Sequence, residues 1–180
     1  MATAAIVLAV PACGSRPARE RQAWRQFEPV VHQVLAAERD AFVRGDAEAA
    51  LRTSGLDTAH WSAVRVQLEE VVRRRELLVR RGHRYHAVLE SRTTVDSGRV
   101  TGDSATLWVT GLSVYAHRTA DGDSTAPPTM GEAVPHVLAF VRRLGTWVLV
   151  RDSIISDAEL HRRHRAGRAA AGPPVDVAVR

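Results

Sequence analysis

Five residues on the predicted strands carry side chains that could transfer protons: Tyr85, Tyr115, His117, His136 and Asp152. A carboxylate among apolar side chains has a raised pKa and can act as a general base. Asp152 is the strongest catalytic candidate because it follows an apolar run. The simpler interpretation, which we prefer, is that Asp152 caps the sheet or pairs with a nearby arginine. Tyr115 and His136 are the candidate ligand-binding residues.

Strict alternation predicts which side chains share a face with Asp152. It places Asp152 with Val148 and Val150, and it places Arg151 on the opposite face with Trp147 and Leu149. Alternation alone does not show which of these faces lines a cavity. The tryptophan at position 147 is expected to be largely buried in the core.

The histidine and cysteine spacings do not predict a metal site or a cofactor. His83 and His86 are three residues apart on a strand, so they point to opposite faces. His161 and His164 would share a helix face, but they lack the acidic or cysteine companion that metal sites use. The single cysteine excludes an intramolecular disulfide and a zinc site with several cysteines.

The charge balance is basic, but it does not require an anionic partner. The net charge is +5, and all 25 basic residues are arginine. GC-rich codons produce an amino-acid composition rich in Arg, Ala and Val, so codon bias can account for much of the arginine content. The run Arg73–Arg75 is predicted to lie on a solvated helix face with acidic partners, and no aromatic residues interleave with it. Nucleic-acid binding is therefore the least favoured of the functions considered.

The only cysteine, Cys13, follows an uncharged and mostly apolar segment from Ala2 to Ala12. This segment is too short to span a bilayer but has the length of a signal-peptide core. With Val10, Ala12 and Gly14 around the cysteine, it resembles the lipobox of bacterial lipoproteins, in which the thiol receives a lipid. The resemblance implies an extracytoplasmic protein anchored to the membrane through Cys13. A cytoplasmic chain with an incidental buried thiol is the alternative.

Helical periodicity dominates the first half of the chain. Apolar residues recur at spacings of three and four from Trp24 to Phe42, and Pro29 fits only the first turn of that helix. Gly45 ends the helix, and Asp46 caps a short second one over 47–52. A third helix runs from Thr58, its predicted cap, to Gly82.

A period of two follows. Strands are predicted over 83–95, 104–117, 135–143 and 146–155, with a turn at Asp96–Gly98 and a loop at Thr119–Gly131. Short turns make these strands antiparallel neighbours. We therefore predict one α+β domain over 27–157, with three helices packed on a curved four-stranded antiparallel meander. Residues 1–13 form the signal-like segment, 14–26 a tether, and 158–180 a disordered tail rich in Arg, Ala and Pro.

Three stretches resemble, in order, the nuclear-transport-factor-two-like superfamily, which includes polyketide-cyclase-like and ketosteroid-isomerase-like proteins. They are AFVRGDAEAAL at 41–51, VTGDSATLWVT at 100–110 and LGTWVLVRDSII at 144–155. The resemblance implies a cone-shaped domain in which a bent sheet encloses an apolar pocket. Some members of the superfamily transfer protons with a pocket Asp or His, and many only bind.

Two functions remain open on the sequence. The preferred one is a lipid-anchored domain that binds a small apolar ligand or a protein partner without catalysis. The alternative is an isomerase- or cyclase-like enzyme with one pocket acid or base. They differ in whether a titratable group is buried beside the ligand, since a catalyst also needs a donor that stabilises developing negative charge. The sequence carries no indication of oligomeric state.

Overall fold

The computed structural model describes residues 22–119, 129–156, 159 and 162. Cys13, most of the tether, His161, His164 and nearly all of the tail lie outside these residues. Among the helices that the structure describes, none combines the length and apolarity needed to cross a membrane.

The helices begin and end close to the predicted punctuation. After a 3-10 turn at Arg25–Phe27, helix α1 spans Glu28–Arg44 with a proline in its first turn. Gly45 ends it with φ 74°, a left-handed conformation that glycine adopts without strain. Helix α2 spans Ala47–Thr53, and its cap Asp46 accepts a hydrogen bond from Ala49 N–H. Helix α3 spans Thr58–Arg80, and its cap is Asp57, one residue before the predicted Thr58.

The four strands form one antiparallel sheet in the order β1-β2-β3-β4, which confirms the predicted α+β meander. They span His83–Thr101, Ser104–Thr119, Thr129–Arg143 and Thr146–Ile154. The turn predicted at 96–98 is absent: β1 continues through it with a register shift between Val95 and Ser97. The Asp-Ser-Gly sequence therefore forms a β-bulge within β1 and does not end the strand. Strand β3 also begins earlier than predicted, within the expected loop.

The helices cover one face of the sheet and bury a continuous apolar core. Helix α1 packs against β1 and α3 packs against β4, while the two helices contact each other. Gly111 of β2 allows this approach, since a Cβ there would lie 3.3 Å from Leu35 Cδ1. The largest fully buried apolar side chains are Phe27, Phe42, Phe140, Leu35, Leu51, Leu68, Leu107, Leu138 and Leu149.

Trp147 packs against the core without being fully buried. It is half-buried, packs edge-on against Phe27 with ring centroids 5.1 Å apart, and donates its indole N–H to Gln26 Oε1. The fully buried apolar residue of β4 is Leu149. Trp24 also packs against the core. Residues 22–26, assigned by sequence to the tether, therefore contribute to the folded domain.

Candidate acid–base site

Three ionisable side chains meet in the interior between helix α1 and the sheet. The ring of His136 lies between two carboxylates, with Nδ1 3.1 Å from Asp152 Oδ1 and Nε2 3.2 Å from Glu38 Oε2. The His136 and Asp152 side chains are completely shielded from solvent, and the Glu38 side chain is 10% exposed. We call Glu38, His136 and Asp152 the buried array.

Each member of the buried array comes from a different element. His136 lies on the core face of β3, where it alternates with Leu138 and Phe140. Glu38 lies on the core side of α1, one turn after Leu35 and one turn before Phe42. In both elements the apolar neighbours that form the core also bury the polar side chain, and this burial brings the two groups together.

Asp152 reaches the core face because β4 is irregular. The pairing of β3 with β4 shifts between Ala139 and Phe140, so Leu149 and Asp152 are both buried although they are three residues apart. The prediction from strict alternation, which placed Asp152 with Val148 and Val150, is therefore wrong. Val150 is exposed, and Asp152 shares its face with Leu149.

The two carboxylates determine the protonation state of His136. Burial alone would lower the pKa of the imidazole, because it penalises the charged form. The charge of Glu38, the hydrogen bond with Asp152, the close ion-pair contact with Glu38 and the charge of Asp152 outweigh this effect and raise the pKa from 6.5 to about 10. His136 is therefore an imidazolium at neutral pH, with both ring nitrogens protonated.

Glu38 is the least buried member of the array. Burial raises the pKa of its carboxyl above the ordinary value, although the adjacent His136 lowers it. Its Oε2 contacts His136, whereas its Oε1 is buried without a hydrogen-bond partner among the described residues. A carboxylate with one oxygen held by a cation and the other unoccupied can accept a proton from a ligand at that second oxygen.

Glu38 and His136 line a narrow cavity between α1, α3 and the sheet. Its other walls are Leu35, Arg39, Phe42, Val71, Arg74, Gly111, Ser113, Tyr115, Glu132, Val134 and Ile154. The space that the centre of a water molecule can occupy measures about 20 Å³, which is room for one water. The whole depression encloses about 360 Å³, including space open to solvent. A ligand larger than water must therefore displace side chains at the mouth.

Tyr115 supplies a hydrogen-bond donor to the same cavity. Burial raises the pKa of its phenol, so the hydroxyl keeps its proton at neutral pH. Its ring packs against Phe42 with centroids 4.7 Å apart, which fixes its position. The cavity thus joins an acceptor, Glu38, with a protonated donor, Tyr115.

Two guanidinium groups line the cavity, and they differ in their partners. Arg74 bonds both oxygens of Glu132, at 2.6 and 2.9 Å, and lies over the ring of Phe42. The sequence predicts Arg74 on a solvated helix face, whereas this pair connects it to Glu132 on β3. Arg39 is half-buried, and burial lowers the pKa of its guanidinium, while the charges of Tyr115 and Glu38 raise it.

The buried array also contains potential metal ligands, although the sequence predicts no metal site. One donor atom from each of its three side chains lies within 4.8 Å of the others. The two ring nitrogens of His136 face different carboxylates, so one ion could be held by Glu38 and Nε2, with Asp152 orienting the ring from behind. Such an ion would have to displace the proton on Nε2.

The structure brings together three of the candidates that the sequence names. Asp152 and His136 are hydrogen-bonded, and Tyr115 lines the cavity that His136 reaches. Asp152 lies behind His136 and does not itself line the cavity. The carboxylate at the cavity is Glu38, which sequence reasoning missed. The available signal was a charged residue within the apolar stripe of α1.

The other two candidates lie elsewhere on the sheet. Tyr85 donates its hydroxyl to Met130 Sδ at 3.2 Å, and its ring stacks near His117. His117 Nε2 lies 2.8 Å from His83 Nδ1 on the neighbouring strand. The histidine pair is thus formed across β1 and β2 and does not involve His86.

No family model matches the chain, and no curated protein sequence matches it. Solved structures similar to it include the intermembrane-space region of the chloroplast protein ARC6, at 16% identity and a TM-score of 0.41, covering 77% of this chain and 97% of that one. An NTF2-like protein with a cystatin-like fold from Novosphingobium aromaticivorans is 16% identical, with a TM-score of 0.39 and coverages of 84% and 97%. A calcium/calmodulin-dependent protein kinase II association domain from Xanthomonas campestris is 13% identical, with a TM-score of 0.26 and coverages of 83% and 94%.

Proposed function

We propose that this chain binds a small molecule in the cavity beside the buried array and catalyses proton transfer at carbon, as an isomerase- or cyclase-type enzyme does. The observation that carries the proposal is that Glu38 lines the cavity and that its buried Oε1 has no hydrogen-bond partner among the described residues. The raised pKa of this carboxyl brings its basicity closer to what proton abstraction at neutral pH requires.

The proposed step is abstraction of a proton from the carbon next to a carbonyl group. Glu38 Oε1 takes the proton, the C–H electron pair forms a carbon–carbon double bond, and the carbonyl oxygen becomes an enolate. The hydroxyl of Tyr115 donates a hydrogen bond to that oxygen as its negative charge develops. Return of the proton from Glu38 to the same or a conjugated carbon completes an exchange or an isomerisation without a co-reactant.

His136 and Asp152 act through Glu38 and are positioning residues. The imidazolium of His136 holds Oε2, which leaves Oε1 directed to the ligand. Asp152 holds the ring at Nδ1 from the side away from Glu38. An orienting carboxylate behind a histidine fixes the ring orientation and supports its charge, which keeps the base in one geometry.

Solvent-deuterium exchange tests the proposed reaction. The full chain is incubated in deuterated buffer with a panel of small ketones and oxo acids, and label at the carbon beside the carbonyl is measured by NMR. We expect protein-dependent labelling of at least one class. Binding without catalysis, which the sequence favours, would contradict the proposal: compounds would raise the melting temperature of the protein and return unlabelled.

We also propose that the protein is anchored at a membrane through a lipid on Cys13. The apolar segment before that cysteine supports this location. In bacterial cells, the wild-type chain should partition into the detergent phase and incorporate labelled fatty acid, while Cys13→Ser should do neither. Ser15→Ala is the matched control and should behave as wild type. Recovery of the wild-type protein with Met1 intact and without lipid would overturn the anchor.

A further inference from the structure

Among the residues that the structure describes, Arg39 is the cation of the cavity that has no anionic partner. It follows Glu38 on α1 and lines the cavity with it. In the part of the chain that the structure describes, no carboxylate lies within ion-pair distance of its guanidinium, whereas the Arg74 group is bound by both oxygens of Glu132. A half-buried guanidinium without an anionic partner is a binding group for a carboxylate, which it can hold through two parallel hydrogen bonds.

We propose that the substrate carries a carboxylate bound by Arg39, and that it is a small oxo acid. This inference rests on the proposed proton transfer at Glu38 and assigns the substrate class of that reaction. Glu38 and Arg39 line the same cavity, so a short oxo acid held by Arg39 brings its acidic carbon into the cavity that Glu38 lines. Its carbonyl oxygen can reach the hydroxyl of Tyr115, which lines the same cavity.

The position of Arg39 also explains how a substrate carboxylate can bind close to the negatively charged buried array. The array carries two carboxylates and one imidazolium, so it is net negative and would repel a second anion by itself. Arg39 is the compensating positive charge, and the neighbouring Arg74 is already neutralised by Glu132. A neutral ketone would leave the Arg39 guanidinium partly desolvated and unpaired. The desolvation penalty of that unpaired group would lower the affinity for the ketone.

A matched pair of ligands tests the inference. Binding of 2-oxobutanoate and of its methyl ester, which keeps the ketone but lacks the charge, is measured calorimetrically on the full chain at low salt. We expect the acid to bind about 10–100-fold more tightly than the ester, as a charge-assisted hydrogen-bonded pair would require. Arg39→Gln should remove this preference while leaving ester affinity unchanged. Arg39→Lys, which keeps the charge without the planar fork, should retain part of it.

Arg44→Gln is the matched control, because Arg44 lies on the same helix, is exposed and pairs with Asp40. It should keep the preference for the acid. Equal affinity for acid and ester in the wild type, or an undiminished preference in Arg39→Gln, would overturn the inference. The proton transfer at Glu38 and the carboxylate site at Arg39 can be refuted independently of each other. Arg39-dependent binding of an acid that gains no deuterium would contradict the proton transfer alone, whereas labelling of the ester as fast as the acid would contradict the carboxylate site alone.

Discussion

Replacing Glu38 by glutamine is expected to lower the rate of deuterium exchange by about 10²–10⁴-fold, the range that a positioned general base contributes. Gln keeps the shape and hydrogen-bonding capacity of the side chain but cannot accept the proton. Ligand affinity should therefore stay within a few-fold of wild type, and the loss should appear in kcat. In the wild type, the rate should rise as Glu38 deprotonates and fall as His136 loses its proton near pH 10.

Glu28→Gln provides the control for this substitution. Glu28 lies in the first turn of the same helix and is exposed, so its replacement tests the loss of a helix carboxylate without touching the cavity. It should leave the exchange rate unchanged. An exchange rate in Glu38→Gln close to that of the wild type would show that another group is the base.

Replacing His136 by glutamine should lower the free energy of unfolding by about 3–5 kcal/mol at neutral pH, the usual cost of removing one partner of a buried ion pair. The substitution leaves Glu38 and Asp152 facing each other without the imidazolium between them. Chemical denaturation measures the loss. A loss of this size is a large part of the stability of a small domain. The double variant Glu38→Gln/His136→Gln should recover some of the lost free energy of unfolding, because it removes one uncompensated carboxylate.

The effect of this substitution should depend on pH in a defined direction. The pKa of His136 is raised in the folded chain from 6.5 to about 10, so its stabilising contribution is complete below 6.5 and is lost as the pH rises through 10. The stability difference between wild type and His136→Gln should therefore shrink from neutral pH to pH 10. His86→Asn, on the exposed side of β1, should show no such trend. A difference that stays constant with pH would contradict the assigned charge.

The sequence predicts most of the fold because local signals and the core pattern agree there. Pro29, Gly45 and Asp46 mark helix boundaries through their own backbone and capping preferences, and the structure keeps each of them. The predictions that were wrong concern turn-forming sequences that strand pairing can incorporate into a sheet. The Asp96–Gly98 turn signal is absorbed as a bulge inside β1, because pairing with β2 continues on both sides of it.

The candidate site could be predicted only in part. The sequence identifies Asp152, His136 and Tyr115 individually, because they are polar or aromatic residues on strands. Whether these side chains lie close together depends on strand register. The register shift in β4 that turns Asp152 inward is not visible in an alternating pattern. Glu38 could not be predicted in this way, because helical periodicity identifies the apolar residues of the buried stripe and a single carboxylate among them is not part of that pattern.

The ionisation state of His136 is the most direct test of the proposed site, because the mechanism requires an imidazolium held between two carboxylates. Nitrogen-15 NMR of the histidine rings distinguishes protonated from unprotonated ring nitrogens, and His136→Gln identifies the signals. We predict that both nitrogens of His136 carry protons at neutral pH and that the ring loses one of these two protons only near pH 10. A His136 ring with one unprotonated nitrogen at neutral pH would contradict this prediction.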